Sequence, residues 1–137
     1  MESRMEILSD NYQRLSYDKE LSMLEILWTE LSVEMTAELL QEAMLLQLEI
    51  FKRFKPKRCL INCKTFFFKI PPKLQTWITN HFYSVEYEYG LEKMAFLISE
   101  DLIAQVSIEQ TLADEPVPKF PVQYFDNEED ALIWFMR

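Results

Sequence analysis

His81 is the only imidazole in this chain, and Gly90 is its only glycine. One imidazole excludes HExxH zinc sites and every histidine-rich metal cluster. One glycine excludes the GxGxxG turn, the GxxxxGK[ST] phosphate loop and the GxSxG elbow, because each needs several backbone positions free of a Cβ atom. To act as a general base, His81 would need a nucleophile or a second acid within reach. It falls four residues after Trp77, on or beside an apolar helix face, where a histidine is expected to be packed and hydrogen-bonded. Cys59 and Cys63 are the thiols available for nucleophilic, redox or metal chemistry. Spaced by four along a strand they stand roughly 13 Å apart, beyond disulfide reach. They read as buried thiols in a reducing compartment, with a redox pair or half a metal site as the alternative. No catalytic residue is assigned.

Two acidic runs have the density of a cation site. Asp126, Glu128, Glu129 and Asp130 stand where a helix begins, and carboxylates there offset the positive end of the dipole. Glu86-Tyr87-Glu88-Tyr89 alternates acid and aromatic, as in an exposed loop or edge ribbon, and lacks the DxDxDG spacing of a calcium loop. No metal and no cofactor is implied. Phe66, Phe67 and Phe68 are harder to dismiss. Successive side chains of an extended segment point to opposite faces, so at least one, most simply Phe67, is expected to meet solvent, a cavity or a partner unless the next helix covers it. Lys64, Thr65, Lys69 and Lys73 surround this triplet, and the seven residues together are the candidate contact site for a ligand or partner.

A chain of 137 residues, 49% of them hydrophobic, fits one domain with a core of its own. Residues 1–11 are expected to form a loosely ordered arm. The first residues lack the pattern of a secretory signal, and no apolar run approaches the ~20 residues needed to span a bilayer, so a cytoplasmic protein without membrane insertion is expected. The net charge of −9 argues against nucleic acid as a partner. Between Ile50 and Val85 there is no Asp or Glu, while Lys52, Arg53, Lys55, Lys57, Arg58, Lys64, Lys69 and Lys73 all fall there. The molecule is therefore expected to be electrically polarised. Its basic side would be either a solvated edge or a docking surface for something acidic.

Periodicity supplies the elements that must position these groups. Residues 12–17 and 21–29 read as two antiparallel strands joined by a short polar turn. Residues 34–54 form the longest helical stretch, with Met35, Leu39, Ala43, Leu46 and Ile50 along one stripe and Leu40, Met44 and Phe51 on its flank. Ser32 or Thr36 is available as its N-cap, and Pro56 stops it. Residues 58–63 read as a buried strand. After Pro71-Pro72, Leu74, Trp77, Ile78, Phe82 and Val85 mark one apolar helix face. Strand 93–99, helix 102–113, strand 122–125 and a last helix capped by Asp126 follow, with Ala131, Leu132 and Phe135 facing inward and Trp134 at the margin. The alternation predicts an α/β domain, a mixed sheet of about five strands with helices packed on it.

The second half resembles a bacterial family of small SpoIIAA-like (STAS/Sec14-like) proteins. The likeness lies in Gln75-Thr76-Trp77, 91–96 (Leu-Glu-Lys-Met-Ala-Phe), Ser107-Ile108-Glu109, 122–126 (Val-Gln-Tyr-Phe-Asp) and the ending 128–135, with Ala131 and Trp134 three apart. It extends over most of the chain from about Leu21 onward. The resemblance implies the same mixed-sheet fold. Related STAS domains are switched by phosphorylation just after a central strand. The corresponding stretch here, Asn62-Cys63-Lys64-Thr65, has no Asp-Ser pair, which leaves Thr65 as the only hydroxyl nearby. Two functions follow as expectations. One is a non-catalytic interaction domain acting as a homodimer or on a regulatory protein partner. The other, which the Sec14-like side of the resemblance favours, is a small-ligand module for an amphipathic anion or lipid-like molecule, its charge near Lys64, Lys69 or Lys73.

Overall fold

The computed structural model describes residues 3–137. Its six strands, β1 (Arg4–Ser9), β2 (Gln13–Asp18), β3 (Met23–Trp28), β4 (Arg58–Asn62), β5 (Lys93–Leu97) and β6 (Val122–Phe125), form one sheet in that order. The first three pair antiparallel and the last four parallel. Helices α1 (Ala37–Phe54), α2 (Pro72–His81), α3 (Tyr83–Glu88) and α4 (Leu102–Ala113) fill the crossovers, and α5 (Glu128–Phe135) follows β6. Parallel crossovers are right-handed, so a sheet that grows one strand at a time in one direction places all its crossover helices on the same face. Leu24, Ile26 and Trp28 of β3, Cys59 of β4 and Met94 and Phe96 of β5 build the core of that face. The residues between them, Met23, Leu60, Ala95 and Leu97, pack on the opposite face against Ala131, Trp134 and Phe135 of α5. This is the expected α/β mixed sheet.

The expected hairpin is β2–β3, and α4 and β6 have the expected limits. The differences have local causes. The expected N-terminal arm contains β1, an edge strand hydrogen-bonded to β2 with a bulge between Glu6 and Leu8. It buries little of its own surface, so it leaves little hydrophobic alternation in the sequence. The first helix starts later than expected, after a short 3₁₀ turn at Glu30–Glu34, with Thr36 Oγ1 accepting from the Leu39 N–H as its cap. Its inward face is Leu40, Ala43, Gln47 and Phe51 rather than the Leu39–Leu46 line, and Leu46 is exposed. Gln47 is tolerated inside because its Nε2 donates to Gln13 Oε1 at 2.8 Å while Gln13 Nε2 donates to the Ala43 carbonyl at 3.1 Å. The single helix expected over 74–85 is two, α2 and α3, broken at Phe82. Asn127, not Asp126, caps α5 by accepting from the Asp130 N–H at 2.9 Å, and Trp134 is inside. Gly90 ends the α3 turn at φ +100°, where a side chain would be strained.

Candidate functional site

The segment from Lys64 to Ile70 has no regular structure, so its backbone groups must find partners elsewhere. Hydroxyls from the 3₁₀ turn, the loop after β5, helix α4 and its own Thr65 supply them. Thr65 Oγ1 donates to the Trp28 carbonyl at 2.7 Å, and Ser32 Oγ donates to the Thr65 carbonyl at 3.1 Å while accepting the Phe67 N–H at 2.9 Å. Ser99 Oγ donates to the Phe66 carbonyl at 2.7 Å, and Ser107 Oγ accepts the Ile70 N–H at 3.0 Å. Thr65 therefore serves as a structural tie between this segment and the end of β3.

That pinning sorts the aromatic triplet. Phe66 is buried, its ring 5.2 Å from Trp28. Phe67 and Phe68 are both half-buried, and Phe68 meets Phe66 edge-on at 6.4 Å, so Phe66 alone of the three enters the core. Lys64, Lys69 and Lys73 are exposed. The basic run does not make one side of the molecule. Lys52, Arg53, Lys55 and Lys57 precede β4 and Lys64, Lys69 and Lys73 follow it, so the strand carries them to opposite ends of the sheet. Arg58 is engaged within the fold, donating from Nη1 to the Leu21 carbonyl at 2.6 Å and from Nε to that of Phe135 at 3.3 Å.

The other candidates also find their places. His81 is exposed rather than packed in the core, donating from Nδ1 to the Trp77 carbonyl at 2.7 Å with its ring against Trp77. Cys59 and Cys63 are free and buried, and burial pushes both thiols well above their ordinary ionisation range. Among the described residues no group of three or more His, Cys, Asp and Glu side chains could hold a metal ion. In the closing acidic run, Glu128 lies 3.3 Å from Arg4, which also meets Glu25 at 3.0 Å. Among the described residues, no helix is long and apolar enough to cross a membrane.

The structure adds a site that the sequence reading did not assemble. Between the sheet and the crossover helices lies an apolar void of about 80 Å³. Its floor is Leu24, Ile26 and Trp28 of β3, Ile61 of β4, and Met94 and Phe96 of β5. Met44, Gln47, Leu48 and Phe51 of α1 form one wall, and Ile78, Phe82, Tyr83 and Glu86 of α2 and α3 form the other. Phe66 and Cys63 close it below α4, whereas Phe67, Phe68 and the three lysines do not reach it. At the ends of the two walls, Lys52 Nζ sits 6.0 Å above the Tyr89 ring.

Glu86 is the exceptional member of that lining. It follows Phe82 by one helical turn, so α3 turns it inward with Tyr83 instead of leaving it on the exposed ribbon expected of the Glu86–Tyr89 run. Its Oε1 is shut off from solvent and has no hydrogen-bond partner. Burial pushes its carboxyl up to about 8, and it is flanked by Cys59 and Tyr83, whose ionisation its charge opposes. The other polar lining groups are engaged: Gln47 with Gln13, Tyr83 Oη with the Thr111 carbonyl at 3.5 Å, and Thr111 Oγ1 with that of Ser107 at 2.8 Å. The signal was present in the order Leu74, Ile78, Phe82, Glu86, an acid continuing an apolar stripe at steps of four. Comparison with protein families, with curated proteins and with solved structures finds no match for this chain.

Proposed function

We propose that this protein is a non-catalytic binding module that holds a small, mainly apolar molecule between its sheet and the helices of one face. The observation that carries the reading is the void itself, mainly apolar, with its polar lining groups Gln47, Tyr83 and Thr111 bonded to protein and one buried carboxyl oxygen unpartnered. Natural cores pack to near-crystalline density, and voids larger than a water molecule are few. An engineered apolar cavity of ~150 Å³ in another protein takes up benzene, so about half that volume suits a guest of a few heavy atoms. The absence of a basic residue from the lining disfavours an anionic head inside the void. Catalysis is disfavoured because His81 is turned outward and the thiols are held protonated by burial. The SpoIIAA-like resemblance is carried with the proposal as an expectation from the sequence.

The test has two parts. Methyl resonances of Met44, Leu48 and Ile78 are followed under xenon, and the gently purified protein is weighed by native mass spectrometry. Saturable xenon shifts confined to the void, together with a stoichiometric extra mass, support the reading. A void that excludes xenon refutes it. The second reading, a protein-interaction domain, rests on Leu102 and Ile103 of α4, which are 76% and 61% exposed beside Val106 and Lys69. A homodimer that disperses on Leu102→Ser/Ile103→Ser would favour it.

A further inference from the structure

Glu86 says more about the guest than the volume does. A buried oxygen without a partner costs free energy unless a donor meets it, so whatever occupies the void is expected to bring an N–H or O–H to Oε1. The alternatives differ in what else they would need. A water molecule needs two to four polar partners in such a site, and the neighbouring Gln47, Tyr83 and Thr111 are already bonded to protein. An ammonium group would bring three donors to a single carboxylate, and two desolvated charges recover their cost only with excellent geometry and further hydrogen bonds. A carboxylate or phosphate would bury its own negative charge with no cation in the lining to offset it. A neutral hydroxyl or amide needs only the one contact and leaves its apolar body among Phe51, Ile78 and Phe82.

We infer that the guest is an uncharged molecule with one hydrogen-bond-donating head, a hydroxyl or an amide N–H, which Glu86 holds at Oε1 while an apolar body of a few carbons fills the void. The inference rests on the reading of that void as a binding site. Below the raised ionisation range of Glu86 its carboxyl is neutral and can return a hydrogen bond to a hydroxyl oxygen, so a two-way contact forms without a buried charge. The titratable groups facing it are the Cys59 thiol from β4 and the Tyr83 phenol from α3, both neutral under the same conditions.

The experiment follows the same methyl resonances at pH 6.5 with four probes: xenon, propan-1-ol, propylamine and propionate. Wild-type protein is expected to bind propan-1-ol saturably and at least five- to tenfold more tightly than either charged probe. Glu86→Leu is expected to weaken propan-1-ol by about the same factor and leave the xenon shifts in place, and Glu86→Gln, which keeps an acceptor oxygen, to retain it within about twofold. Equal binding of propan-1-ol and propionate by the wild type overturns the inference, and that comparison needs no variant to fold. Unaltered propan-1-ol affinity in Glu86→Leu overturns it as well. In both cases persistent xenon shifts leave the void standing as a binding site. Loss of xenon shifts from the wild type removes the site and the inference together.

Discussion

Glu86 makes the stability of this protein fall as pH rises, and the size of the fall can be worked out from its position. The carboxyl moves from an ordinary 4.5 in the unfolded chain to about 8 in the fold because burial penalises its charged form. Between those two values the folded state holds a proton that the unfolded state has released. Unfolding is therefore increasingly favoured by about 1.4 kcal/mol per pH unit. The stabilising contribution is complete below 4.5 and is lost as pH passes through 8, a total on the order of 5 kcal/mol. That is a large share of the ~5–15 kcal/mol by which domains are stable. Glu25, pushed up mainly by burial, acts in the same sense, so a single pH profile would mix the two. The difference between wild type and Glu86→Gln separates them, because Glu25 is common to both. Urea unfolding of the two proteins, followed by tryptophan fluorescence from pH 4.5 to 8.5, should give profiles that diverge steadily, with the variant gaining several kcal/mol relative to wild type by pH 8.5. Profiles that stay parallel within about 1 kcal/mol would refute the burial of an ionisable Glu86.

Four further outcomes follow from the packing. Phe66→Ala should cost about 3–5 kcal/mol in chemical denaturation, and Phe67→Ala, at a half-buried position, should cost clearly less; equal costs would contradict the placing of Phe66 alone in the core. Gln47→Leu should lose about 1–3 kcal/mol by stranding Gln13 Oε1, and the double change Gln13→Leu/Gln47→Leu should lose less than the sum of the two single changes, as a double-mutant cycle would read. Thr65→Val should cost about 1 kcal/mol through the lost bond to the Trp28 carbonyl, and an unchanged urea midpoint would argue against that tie. Both thiols should resist alkylation in native protein at pH 8 and react on unfolding; rapid native labelling of either would show it is not enclosed.

Elements whose information is local were legible in the chain. Helix α4 and strand β6 were readable because each is a short run without a breaker inside it, bounded by Pro116 and Pro118 and by Asp126. The mixed α/β class followed from the alternation of such segments. The charge run from Lys52 to Lys73 was read correctly as composition but not as geometry, since a buried strand in its middle sends its halves to opposite ends of the sheet. The rotation of α1 onto Leu40 and Phe51 was hidden for a similar reason. Several faces of that helix are apolar, and a glutamine bonded to a distant strand decides which one is buried.

The sequence by itself determined which chemistries are missing, because one histidine and one glycine cannot build the sites that need several. It also determined the α/β alternation, whereas the burial of Phe66 and the half-burial of Phe67 and Phe68 were left to the structure. Only the tertiary structure decided that Glu86 is a buried acid without a partner. The stripe Leu74, Ile78, Phe82 and Glu86 points α3 inward, but Tyr87 and Glu88 just after it are exposed, and only α1, β4 and β5 closing around Glu86 leave it without a partner. A void belongs to no single segment, so no local pattern records it. It exists where helices carried by separate crossovers come down on one face of a sheet and stop short of filling it.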